Sequence, residues 1–340
     1  DDVIIDDSGT FTLGGVISGT GGLTKTDVGT TTLSGVNTYT GNTTISAGTL
    51  ELSGGSAIAD AGHVQIADVA GATLHLNADE TIGSLAGGGT TGGNVDLDTF
   101  TLTTGDAGND TYSGSISGSG AFTKDGAGTQ TLSGANTYTG VTTVSVGTLL
   151  VNGDNSLANG NVNINSGGTL GGIGTIGGAT VLDSGGFLSP GDGGSGDTIT
   201  FLSSLDIQNA SVGSLLFDLD APGTSDLVAM DTGAQLTIAS LSVADFIFTN
   251  LGSAAEGDYT LFTTANTAIV GIGSLNTTMN LISLSPSGPQ FNARLSTGDF
   301  GIDGGQFIAL TLSAVPEPSS ITLLGLGLSA LLLRRKRSAA

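Results

Sequence analysis

The chain has 340 residues, 59 of them Gly and only 6 Pro, with hydrophobic residues at 38%, charged residues at 11% and a formal net charge of -23. That apolar content excludes a disordered polyanion, and the lack of a three-residue Gly period excludes a collagen-like chain. The absence of Cys excludes disulfides, thiolate metal centres and a Cys nucleophile, and so acidic a surface repels nucleic acid and anionic lipid.

The acids are nearly all Asp, since Glu occurs only at positions 51, 80, 256 and 317. Asp competes for local backbone N–H groups and favours turns, so the charge is expected at loop positions. The chain opens DDVIIDDSGTFTLGG, already in strand-like alternation. A basic segment followed by an apolar one is not among these residues, so an export leader would precede Asp1.

Next comes an internal repeat. ISGTGGLTKTDVGTTTLSGVNTYTGNTTISAGTLEL (17–52) aligns without gaps with ISGSGAFTKDGAGTQTLSGANTYTGVTTVSVGTLLV (116–151) at an offset of 116 − 17 = 99. About two-thirds of the aligned positions are identical, which points to a repeat architecture. Apolar residues alternate with Thr or Ser in runs of three to five, as in Thr49-Leu50-Glu51-Leu52, and Gly35, Asn37, Gly41 and Gly48 punctuate them. This period of two predicts short strands with one buried face, and the density of Gly and β-branched residues rules out helices.

Stacked coils of a β-solenoid fit the pattern, with about 20 residues per coil and roughly five coils per repeat offset. The two segments are then expected on similar faces of a rod roughly 50 Å long. Pro is absent before Pro190, consistent with strands that need every backbone donor. Lys25 and Lys124, Tyr39 and Tyr138, and Asn37 and Asn136 recur in register. They read as architecture: Lys on a surface edge, Tyr over a turn, Asn satisfying backbone groups inside a turn.

Between the copies, AGHVQIADVAGATLHLNAD holds His63 and His75, the only histidines, near Asp60, Asp68 and Asp79. Without a ligand spacing they read as strand residues rather than a metal or acid–base site. After the second copy, GTLLVNGDNSLANGNVNINSGGTLGGIGTIGGATVLDSGGFLSPGD (147–192) continues in the same texture.

The paired segments and this continuation resemble the autotransporter-associated β-strand repeat of bacterial surface passenger domains. The resemblance covers residues 17 to about 192 and implies a right-handed parallel β-helix outside the cell, with no shared catalytic residues. One departure is export. Residues 198–313 are too short for a membrane barrel of strands each about 10 residues long, and too poor in Tyr and Trp for its girdles.

From Ser189-Pro190-Gly191 the texture changes, with fewer Gly, more Phe and longer alternating runs. Residues 1–198 are therefore assigned to the solenoid and 199–313 to its last coils or to a small β-sandwich capping it. The densest acids are Asp218, Asp220, Asp226 and Asp231 in FDLDAPGTSDLVAMDTG. They are weak Ca²⁺ candidates, because the run lacks the EF-hand spacing and the nonapeptide pattern of Ca²⁺-binding β-rolls; a solvated loop is the plainer reading. Asp96, Asp98, Asp106 and Asp110 invite the same comparison with less support.

The chain ends VPEPSSITLLGLGLSALLLRRKRSAA, holding four of its seven basic residues. The apolar run 321–333 gives about 20 Å of helix, short of a hydrocarbon core of about 30 Å. Arg334, Arg335, Lys336 and Arg337 follow at once and would halt translocation, fixing the body outside and the end inside. The plainer alternative is a buried C-terminal helix.

Val315-Pro316-Glu317-Pro318, the short apolar run and the Arg-rich end resemble, in that order, the PEP-CTERM sorting signal. The resemblance implies that residues 314–340 address the protein to an exosortase, which processes the tail, in a bacterium making exopolysaccharide or biofilm matrix.

Three functions fit these features. The first is a noncatalytic surface scaffold or adhesin, held transiently in the membrane by its tail, with polysaccharide or matrix proteins as partners. The second is a polysaccharide-active β-helix enzyme, which would need paired carboxylates and basic residues in one groove. Only Lys25, Lys124 and Arg294 lie outside the tail, and Trp is absent. The third is a Ca²⁺-dependent carbohydrate-binding module.

Overall fold

The computed structural model describes residues 1–194, 196–278, 280–284, 290–299 and 305–315. The chain coils as a three-faced parallel β-solenoid. Its first turn passes through Val3–Ile5, Thr10–Leu13 and Ser18–Gly19 before Leu23–Lys25 stacks on Val3–Ile5. One face is a continuous sheet of twelve strands running to Phe246–Asn250. Twelve strands at about 4.8 Å spacing make a rod of roughly 50 Å.

The second face begins as six strands, Thr10–Leu13 through Ile116–Ser117, and resumes as a second sheet from Asp154–Asn155. Residues 136–137 bridge the two: Thr137 N–H donates to Ile116 C=O, and Asn136 N–H to Asp154 C=O. The third face starts with Ser18–Gly19 and Thr38–Tyr39 and continues as eight strands from Glu80–Ile82 to Leu236–Thr237.

Early turns follow the expected length: Val3 pairs with Leu23, and Leu23 with Thr43, the same interval each time. The widest turns of this face come late, between the paired residues Leu188 and Leu215 and then, wider still, between Leu215 and Phe246. Phe217, Phe246 and Phe262 fill these wider coils, with ring centroids 5.4 to 6.3 Å apart. Such contacts add to area burial through favourable edge and offset geometry.

Strand parity decides what enters the core. In Leu23–Lys25 and Phe122–Lys124 the first and third residues are buried and the middle Thr is half-buried outside. Stacked outward residues form rows, such as Thr81–Thr103–Thr123–Thr143–Asn163 on the third face. The inward residues form one core from Ile5 to Leu312. Gly48 and its repeat mate Gly147 hold left-handed φ angles of 68° and 73°. A Cβ on either would lie 2.3 Å from a carbonyl oxygen of the turn below, so only Gly allows this corner to stack.

The two repeat copies do not share faces, contrary to the sequence expectation. Leu23–Lys25 and Thr30–Leu33 lie on the first and second faces, whereas their mates Phe122–Lys124 and Thr129–Leu132 lie on the third and first. From Leu23–Lys25 the first face is crossed four more times before the chain passes the second face and reaches Phe122–Lys124 on the third. The repeat offset thus spans four turns and two further faces. The turn between Ser84–Gly87 and Asn109–Tyr112 accounts for much of the slip, since Gly87 pairs with Tyr112 across a longer interval than Val3 with Leu23.

Parallel stacking continues to Gly257–Thr264, which pairs with Leu227–Met230. Beyond it the order turns antiparallel: Gly257–Thr264 pairs with Gln306–Ala314, that strand with Gln290–Asp299, and that one with Asn280–Ser283. The fold is therefore an all-β parallel solenoid closed by a mixed C-terminal sheet.

Candidate functional site

The repeated polar residues turn inward. Lys25 is fully buried and Lys124 is 2% exposed, which corrects their expected place on a surface edge. Each has the parity of the apolar residue two positions earlier, Leu23 or Phe122, so its stem lies in the core. The Lys124 ammonium donates to the carbonyls of Asp125 (2.9 Å) and Gly126 (2.7 Å), and the Lys25 ammonium to that of Asp27. Burial pushes both lysine pKa values down, while nearby Asp residues oppose the shift.

Asn37 and Asn136 act as expected, and they also join turns. The Asn37 side-chain oxygen accepts Ile17 N–H (2.8 Å) and its amide donates to Ala57 C=O (2.7 Å). Asn136 accepts Ile116 N–H (2.8 Å) and donates to the Asn155 side chain (2.8 Å). Tyr39 and Tyr138 are buried, with their hydroxyls against Thr43 (2.6 Å) and Thr142 (2.7 Å). Burial pushes the Tyr138 phenol up to about 12.

The histidines do not converge. His63 lies on the first face, with Nδ1 2.7 Å from Ser84 Oγ and 3.7 Å from Asp110. His75 lies on the second, with Nδ1 3.2 Å from Asp96 and Nε2 3.0 Å from Asn77. Stacking, rather than sequence neighbourhood, selected these acids over Asp60, Asp68 and Asp79. Among the described residues no group of three or more His, Cys, Asp or Glu is placed to hold a metal.

Many Asp side chains sit at corners, as composition predicted. Asp7, Asp96, Asp106, Asp154 and Asp206 each accept the backbone N–H two residues on. Two acids are almost fully buried. Glu80 is 2% exposed and accepts Ile58 N–H (2.7 Å) and Ala57 N–H (3.2 Å), taking the place of a strand where the third face is interrupted. Burial raises its pKa to about 7 against those two hydrogen bonds.

The second is Asp226, also 2% exposed, whose Oδ2 accepts Asp218 N–H (2.9 Å). Burial first, with Asp218 and Asp197 adding repulsion, raises it to about 7. The other acids of the sequence cluster do not join it in one site: Asp218 projects half-buried from the first face while its N–H and charge still reach Asp226, Asp220 is half-buried past the end of that strand, and Asp231 is exposed. Asp197, which the sequence did not single out, also stands beside Asp226.

One cleft, of about 400 Å³, is lined by Thr90, Thr91, Asn94, Ser113, Ser115 and Ser133 among small residues, and others of about 440 and 550 Å³ lie beside Asp231 and beside Glu256. The first holds no charged or aromatic side chain, so it offers hydroxyl and amide hydrogen bonds alone. None of these clefts combines carboxylates with basic side chains.

Val315, the last described residue, follows Gln306–Ala314 and is exposed. Pro316, Glu317, Pro318, the apolar run 321–333 and Arg334, Arg335, Lys336 and Arg337 lie outside the described residues. Among the described residues no helix is long and apolar enough to cross a membrane.

These features define a repeat-built β-solenoid with a terminal sorting tail. The passenger-associated-transport-repeat matches at residues 23–52 and 122–151, and the PEP-CTERM protein-sorting motif at residues 314–337. The chain is also similar to the adhesin BmaC autotransporter of Brucella suis biovar 1 (strain 1330), with 39% identity over 118 residues. That alignment covers 34% of this chain and 3% of the adhesin, so the chain spans a small part of that relative's length. The chain thus carries passenger-type repeats and a sorting motif that implies export to the cell surface and processing by an exosortase.

Proposed function

We propose that this is a noncatalytic scaffold or adhesive protein of the cell surface or extracellular matrix, with exopolysaccharide or matrix protein as its partner. The observation that carries the reading is continuity: two passenger-type repeats lie within one solenoid whose closing sheet leads straight into the sorting tail. The solenoid is right-handed in this reading. Its tail, 321–333 with Arg334 to Arg337, is a transient inner-membrane stop, and an exosortase removes it near Pro316–Pro318. Loss of those four bases would take the formal charge from -23 to -27 before any lost acid is counted.

The electrostatics favour this over a polysaccharide-active enzyme. With Lys25 and Lys124 buried, the described rod has an anionic exterior and no basic groove for an acidic sugar. A neutral glycan or a cation-bridged matrix suits such a surface. The test is co-expression with an exosortase, followed by mass spectrometry of the mature surface fraction. A C-terminus shortened to the Pro-Glu-Pro region is expected, and an intact one ending at Ala340 would refute the sorting claim. Deleting the gene should release or weaken the matrix without altering polysaccharide chain length, whereas a changed chain length would mark an enzyme.

A further inference from the structure

Asp226 stands just before Leu227–Met230 with Oδ2 accepting Asp218 N–H and the other oxygen, Oδ1, buried without a hydrogen bond of good geometry, the Asp197 backbone N–H lying beside the carboxylate. A buried, half-satisfied carboxylate is costly unless something neutralises it. The orphan oxygen faces Gly191 in the turn below, within 3.2 Å of where a Cβ on that residue would stand. Asp197 Oδ2 reaches within 3.1 Å of the same point. Backbone N–H groups of Asp192 (3.2 Å) and Gly194 (3.1 Å) hold that second carboxylate in position.

Two carboxylate oxygens from successive turns thus converge over a residue that has no side chain. Gly191 adopts φ 93°, a left-handed conformation that Gly accepts freely. The ion pairs His63–Asp110 and His75–Asp96 lie on earlier turns, as do Lys25 and Lys124, which carbonyls engage there. The charge at Asp226 therefore calls for a proton or a cation. Hard carboxylate donors held in an irregular corner match Ca²⁺ better than Mg²⁺, which demands a near-ideal octahedron.

We propose that Asp226 and Asp197 bind a Ca²⁺ ion that ties the Gly191 corner to the next turn of the solenoid. The site differs from the sequence cluster: it keeps Asp226, recruits Asp197 and leaves Asp231 in solvent. The test is thermal unfolding of the chelator-stripped full chain, with and without CaCl₂, for wild type, Asp226→Asn, Asp197→Asn and the exposed control Asp231→Asn. At about 100-fold excess over a Kd of roughly 10⁻⁴ M, wild type and Asp231→Asn should gain about 5 °C in Tm.

Asp226→Asn keeps the side chain's shape and should lose that gain, as should Asp197→Asn. A wild-type Tm indifferent to Ca²⁺, or a gain that survives undiminished in both Asn variants, overturns the proposal. Indifference accompanied by a higher Tm for metal-free Asp226→Asn than for wild type would identify a shared proton instead of an ion, and likewise overturns it. None of these outcomes bears on exosortase processing.

Discussion

Replacing Lys124 by Met should destabilise the middle of the solenoid, although Met fills nearly the same volume and removes a buried charge. The variant keeps the stem in the core and deletes the ammonium, leaving the carbonyls of Asp125 and Gly126 without their donor. Hydrogen bonds to charged groups contribute about 1.5–3 kcal/mol each, so the two well-formed ones sum to about 4 kcal/mol. Relief of ammonium desolvation offsets part of this, because burial already lowers the lysine pKa despite Asp106 and Asp125. A net loss of about 2 kcal/mol results.

Solenoids open locally, so the assay should be local: native-state hydrogen exchange at Ser145, whose N–H donates to Lys124 C=O (2.8 Å). Protection there should fall roughly 30-fold, since about 1.4 kcal/mol is a factor of ten. Lys25→Met, which deprives one carbonyl, should cost about half as much. Equal or greater protection in Lys124→Met would mean that desolvation outweighs the hydrogen bonds, and would refute the reasoning.

Two further outcomes follow from the buried polar groups. Glu80, with its folded pKa raised from 4.5 to about 7, contributes stability that is full below pH 4.5 and lost as pH rises through 7. The linkage is at most about 3 kcal/mol, and residual screening cuts it to about half. The urea midpoint should therefore be higher at pH 5 than at pH 8, and Glu80→Gln should reduce the difference to the part that Asp226, raised to about 7 likewise, contributes; a midpoint that rises with pH would contradict this. Asn136→Ala removes the acceptor of Ile116 N–H and the donor to Asn155 where the second face is bridged, at a cost of about 1–3 kcal/mol. Denaturant titration should show that loss, and an unchanged midpoint would show that water replaces the amide.

Local chemistry was legible in the chain. Alternation of apolar residues with Thr set the strands, Gly48 and Gly147 marked corners that a Cβ would block, and Asn37 and Asn136 carried turn hydrogen bonds where expected. The sorting tail was likewise legible, because its recognition depends on residue order rather than on packing. The inward aim of Lys25 and Lys124 was available from parity, two positions after Leu23 and Phe122, but their charge pointed the other way.

The sequence by itself determined that this protein is a stack of short strands with a repeated module and an address at its end, since period two and residue order are local properties. Tertiary structure alone decided which residues meet across turns. The repeat offset became four turns and two faces because turn lengths vary, from the short interval between Val3 and Leu23 to the long one between Leu215 and Phe246. That phase put the repeat copies on different faces and paired His75 with Asp96. It also brought Asp197 to Asp226, distant along the chain and adjacent only through stacking.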